Sequence, residues 1–238
     1  MPYAATIFLS SFLLFLVQPL IARQILPWFG GTAAVWTTCM LFFQSLLLAG
    51  YAYAHASNVK LAPRAQAVVH CLLLGLSLLL LPIFPAESWK PAGTEEPISR
   101  ILLLLAATAG LPYLMLASTS PLLQAWFARA RPGTDPYRLF AVSNLASMLA
   151  LIGYPLAVEP FLGNREQVLA WSALYGLFAV LCAGLSWSAV AVNSKNHSTE
   201  KVKTLSPGRG EYALWLALSA TGSVMLLAVT NHVTQNVA

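Results

Sequence analysis

Residues 101–128 read ILLLLAATAGLPYLMLASTSPLLQAWFA, without one Asp, Glu, Lys or Arg. An apolar helix needs about 20 residues to cross the hydrocarbon core of a bilayer. A soluble helix of that length would turn a charged face to water. Six more stretches share the pattern: 1–22, 24–59, 65–86, 139–158, 167–194 and 212–238. Lipid is therefore the expected solvent for most of the chain. The expected fold class is an all-α polytopic membrane protein, a six-helix bundle plus a seventh transmembrane helix.

Composition sharpens this reading. The 238 residues are 58% hydrophobic and 9% charged, against roughly 25% charge in soluble domains. That balance excludes a soluble enzyme and a disordered tail. The net charge of +5 points to membrane topology rather than to nucleic acid, because the basic residues fall between the apolar stretches. Lys60, Arg64, Arg129, Arg131, Arg138, Lys195, Lys201, Lys203 and Arg209 follow the even stretches. Arg23, Lys90, Arg100 and Arg165 follow the odd ones. This nine-to-four excess predicts a multi-pass protein with a cytoplasmic N-terminus. No Lys or Arg precedes the first apolar run, which reads as an uncleaved span.

Punctuation residues set the expected boundaries. The first span, about 3–22, closes at Pro27-Trp-Phe-Gly-Gly31, and Thr32 is placed to cap the second, which runs to about residue 54. Tyr51, Tyr53 and His55 read as markers of its membrane-surface end. The third covers about 65–84 and ends at Pro82 and Pro85. The fourth starts near Ile98 and is expected to break at Ser118-Thr-Ser-Pro121, leaving 122–130 along the interface. Asp135 and Pro136 open the fifth. Asn164-Arg-Glu-Gln167 fits a capping box for the sixth. These marks divide the chain into a six-span bundle (1–192), a basic cytoplasmic linker (193–211) and a seventh span (212–238), the start of a second half. The seventh is still apolar at Val237-Ala238, so the natural protein is expected to continue. Six spans, a basic loop and further spans is the layout of two-bundle transporters.

Chemistry-bearing motifs are scarce. Phosphate-binding glycine loops, H-E-x-x-H and G-x-S-x-G are all missing. The one aspartate, Asp135, serves as a helix cap, and no carboxylate pair lies within a span. Cys39, Cys71 and Cys182 sit in three different spans and read as small apolar residues, so no catalytic residue, metal site or cofactor is expected. His70, alone in the third span, reads as structural rather than as a ligand.

Polar residues within spans remain. They cost free energy in lipid and normally face the bundle or a wet cavity. Gln18, Gln44 and Asn144 are candidates for binding a small polar solute, together with Asn231, His232 and Gln235 in the last span. Interhelical hydrogen bonding is the competing reading for the first three, and exposure at the membrane surface for the last three. Ser143, Ala146, Ser147 and Ala150 form a small-residue face that would let another helix approach closely.

Local sequence carries a resemblance. Phe12-Leu-Leu-Phe-Leu-Val-Gln-Pro-Leu-Ile-Ala-Arg23 and Leu26-Pro-Trp-Phe-Gly-Gly-Thr-Ala-Ala-Val-Trp36 resemble the start of a bacterial membrane-protein family described as fused major-facilitator-like/spermidine-synthase-like. So do Ser118-Thr-Ser-Pro-Leu-Leu-Gln-Ala-Trp126, Asp135-Pro-Tyr-Arg-Leu-Phe-Ala-Val-Ser-Asn-Leu-Ala-Ser147 and Thr230-Asn-His-Val-Thr-Gln-Asn-Val-Ala238. Ala146 departs from the family, which often has glycine there. The resemblance implies a major-facilitator-like bundle in a bacterial inner membrane, followed by further spans and a soluble aminopropyltransferase-like domain. Any spermidine-synthase-like activity would lie in that domain, none of which is in these 238 residues. The expected function is to bind or transport a small polar solute. The rival is a non-transporting anchor for the soluble domain. A membrane-embedded enzyme ranks third, for want of paired acids, metal-ligand spacing or an activated nucleophile.

Overall fold

A computed structural model describes residues 2–91, 96–131, 133–195 and 208–237. Among them the secondary structure is helical throughout. The chain divides into two compact units, Met1–His197 and Ser198–Ala238. The first holds α1 (Pro2–Phe29), α2 (Ala33–Lys60), α3 (Pro63–Leu78), α4 (Pro97–Leu105), α5 (Leu111–Ala130), α6 (Tyr137–Gly153) and α7 (Asn164–Lys195). The second holds α8 (Arg209–Val237). Residues 196–207, most of the expected linker, lie outside the described residues.

Five helices among the described residues are long and apolar enough to cross a membrane: Pro2–Phe29, Ala34–Lys60, Pro97–Ala130, Tyr137–Val158 and Asn164–Ala191. The expected third span is shorter. α3 has 16 residues, or roughly 24 Å at 1.5 Å per residue. Pro82 and Pro85 account for the early stop, since neither can donate a helical hydrogen bond and each biases the residue before it away from the helix. The seventh stretch forms α8.

Two prolines coincide with wide turns. A five-residue π turn, Ala106–Gly110, joins α4 to α5 just before Pro112. Another, Tyr154–Val158, contains Pro155 and carries the Glu159 N–H to Tyr154 O hydrogen bond of 2.8 Å. A proline ring clashes with the carbonyl four residues back, and a wider turn relieves that clash. Pro121 behaves differently from expectation. α5 runs through it without a break, and 122–130 is the last part of α5 rather than a separate interface segment. Leu122, Leu123 and Trp126 are buried against the bundle, so packing outweighs the one backbone bond that Pro121 removes.

Helix starts follow their caps. Thr32 Oγ1 accepts the Val35 N–H at 3.5 Å, and Asp135 Oδ1 accepts the Tyr137 N–H at 2.9 Å. The capping box of α7 is shifted by one residue from the expected Asn164–Gln167. Glu166 Oε2 reaches back to the Gly163 N–H at 2.9 Å. Gln167 instead donates to Leu162 O at 2.8 Å and accepts from Tyr154 Oη at 3.3 Å. A carboxylate is the stronger acceptor at a helix N-terminus, which explains why Glu166 takes the role.

The core of the first unit centres on α1. Leu13, Ile21 and Ile25 are fully buried and pack with Met115 and Leu116 of α5 and Tyr175 and Phe178 of α7. Trp171 Nε1 donates to Leu13 O at 3.0 Å. On the other side of α1, Ser11 and Ser143 share a 2.7 Å hydrogen bond. Ala146 and Ala150 are buried beside it, so the small-residue face of α6 does admit a close neighbour. α2 approaches α5 at Gly50, where an added Cβ would lie 2.6 Å from Ala117 Cβ and 3.1 Å from Ser118 N. Burial is uneven. The most apolar window is 67% buried in Pro97–Ala130, against 28% in Ala34–Lys60 and 22% in Tyr137–Val158.

Candidate functional site

Four helices each turn one face into a common space. α1 presents Ser11, Leu14, Phe15 and Gln18; α5 presents Tyr113, Leu116, Ala117 and Ser120. Both sets follow the i, i+3, i+4, i+7 spacing that lines one side of a helix. α2 adds Gln44, Leu47 and Tyr51. α6 adds Ser143, Asn144 and Ser147. The cavity between them is about 280 Å³.

Three of the six residues singled out in the sequence, Gln18, Gln44 and Asn144, therefore meet in one place. Gln18 Nε2 donates to Tyr113 Oη at 3.3 Å. Ser147 Oγ donates to Ser143 O at 2.9 Å, and Gln124 Nε2 donates to Ser120 Oγ at 3.0 Å. Gln44 and Asn144 differ: among the described residues neither side chain makes a hydrogen bond to protein, and both are exposed and line the cavity. Each has an amide oxygen and an NH₂ group to offer.

Asn231, His232 and Gln235 lie on α8, in the second unit. The side chains of Asn231 and Gln235 are outside the described residues. His70 is where its structural reading placed it. It is fully buried, with Nδ1 3.2 Å from Tyr53 Oη and Nε2 3.4 Å from Cys182 Sγ. Trp126 stands edge-on to its ring.

Sequence reasoning missed Tyr51 and Tyr113. Tyr51 read as a membrane-surface marker, yet it lines the cavity. The available signal was its i+7 offset from Gln44, which puts both on one helix face.

A second cavity of about 640 Å³ lies toward the other end of α1. Its walls include Gln18, Leu26, Trp36, Phe43, Leu151 and Tyr154. Arg23 and Glu159 also border it, with Nη1 3.9 Å from Oε1 and 3.4 Å from Glu159 O. Gln18 is common to both cavities, so one amide stands between a larger, mainly apolar chamber and a smaller polar one.

The smaller cavity is lined by amides, hydroxyls and apolar groups, with no charged side chain. Such walls can donate and accept hydrogen bonds but cannot neutralise an ion. Among the described residues no group of three or more His, Cys, Asp or Glu side chains could hold a metal ion. No family model, curated protein or solved structure matches this chain.

Proposed function

We propose that the first unit binds a small polar solute between α1, α2, α5 and α6 and moves it across a bacterial inner membrane. In this reading the chain is a six-helix major-facilitator-like bundle plus the first helix of a second half, with its N-terminus in the cytoplasm. The resemblance noted above makes it the membrane part of a spermidine-synthase-like fusion. The observation that carries the proposal is the convergence of Gln18, Gln44 and Asn144 on one cavity. An unpaired amide is costly in hydrocarbon, so two of them facing one space argue for a wet site. A packed anchor would have a filled bundle at this depth, and the cavity weighs against that rival.

The neutral lining favours an uncharged or zwitterionic solute over a polyamine. A polycation would want converging carboxylates, and Glu159 is the acid bordering the larger cavity, already paired with Arg23. The test is a thermal-shift screen of the purified chain with neutral polyols, amides and zwitterionic amino acids, and with spermidine. A neutral hit should lose affinity about two- to tenfold in each of Gln18→Leu and Asn144→Leu, the cost of one hydrogen bond. Unchanged affinity in both variants refutes the site. Binding of spermidine alone refutes the neutral-solute reading.

A further inference from the structure

Arg129 sits in the last turn of α5 and folds its guanidinium back onto the bundle. Nη2 donates to Asn58 Oδ1 at 2.6 Å and to Gln66 Oε1 at 3.3 Å, and Nε donates to Ala125 O at 3.3 Å. All three acceptors are neutral. Among the described residues the ion pairs are Arg23–Glu159 and Lys90–Glu87, so no carboxylate answers this charge. Nη1 keeps its donors unspent.

The surroundings hold that geometry. Gln66 is 2% exposed, and its amide orientation is fixed by chemistry. Trp126 Nε1 can only donate, and it does so to Gln66 Oε1 at 3.0 Å. The Gln66 NH₂ group therefore faces Ser57 Oγ and Asn58 Oδ1, each at 3.4 Å. Beside the guanidinium is a notch of about 20 Å³, lined by Pro63, Gln66, Trp126, Arg129, Ser186 and Ala189. That volume admits one oxygen-sized group. Among the described residues of the first unit, Lys60, Arg64, Arg131, Arg138 and Lys195 fall at the same end of the bundle, against the acid Asp135.

We propose that Arg129 binds a phosphate oxyanion, one oxygen entering the notch, and that the phosphate belongs to an anionic lipid headgroup. A planar guanidinium with free N–H groups matches phosphate oxygens. The end of a membrane-length helix places it where headgroups lie, and basic pockets between spans are suited to acidic lipids. The site is separate from the solute cavity and does not depend on it.

The experiment uses the purified full chain in neutral detergent, titrated with phosphatidylglycerol, phosphatidylcholine or inorganic phosphate while the unfolding temperature is followed. Phosphatidylglycerol should raise it by about 3 °C and phosphatidylcholine should not. Arg129→Gln should weaken the phosphatidylglycerol effect about fivefold, the net worth of one hydrogen bond to the phosphate. Arg129→Lys, which keeps the charge and guards against a folding defect, should fall between the two. Arg131→Gln, whose guanidinium lies 5.6 Å from the Phe127 ring centre, should respond like the unaltered protein. An equal response in Arg129→Gln overturns the proposal, as does an equal response to phosphatidylcholine. Inorganic phosphate matching phosphatidylglycerol would support the oxyanion site and overturn the lipid as its source.

Discussion

Replacing Gly50 by alanine tests the contact between α2 and α5 beside the four-helix cavity. The new Cβ would lie 2.6 Å from Ala117 Cβ, 3.1 Å from Ser118 N and 3.2 Å from Ala117 C. Carbon atoms pack best at about 3.5–4.0 Å, so α2 must retreat from α5 by roughly 1 Å. The obstructing atoms are backbone and a Cβ, which no rotamer change can move aside. Overpacking of this kind costs about 2 kcal/mol. A helical Gly→Ala change also gains up to about 1 kcal/mol through the unfolded state. Gly176→Ala in α7 isolates that gain, because nothing lies within 4 Å of its added Cβ. The two variants should differ by about 2 kcal/mol, or roughly 4–8 °C in unfolding temperature for a chain of this length. Gly176→Ala should lie at or above the unaltered protein and Gly50→Ala below it. Equal melting of the two variants refutes the close approach of α2 and α5.

Two further substitutions separate buried from exposed polar contacts. Ser77→Ala removes the 2.7 Å partner of the buried Tyr175 hydroxyl and should cost about 1–3 kcal/mol in a denaturant titration. Glu159→Gln weakens a long, half-exposed pair with Arg23 and should change the same titration by less than about 0.5 kcal/mol.

The sequence spoke most clearly where a single residue has one cheap conformation. Thr32 and Asp135 cap the helices they precede because their side-chain oxygens satisfy N–H groups that have no other partner. Gln18, Gln44 and Asn144 stood out for a related reason: amides in apolar helices need somewhere polar to face. Distance between helices is not written in that pattern, so the partnership of Gln18 with Tyr113, 95 residues away, appears only in the fold. α2 extends to Lys60 rather than ending near residue 54, and Tyr51 lines the cavity from within it. The break predicted at Pro121 failed because local rules do not count neighbours. One lost hydrogen bond is small against three large side chains that are packed only if the helix continues.

The unequal burial of the helices has a mechanical meaning. α5 is a fixed pillar, wedged among its neighbours. α2, which carries Gln44, packs chiefly on α5, and α6, which carries Asn144, packs chiefly on α1, and each leaves most of its apolar window exposed. The groups that would grip a solute are thus mounted on two helices seated on different supports. A molecule bridging those amides would act as a cross-brace, so occupancy and rigidity of the bundle would rise and fall together.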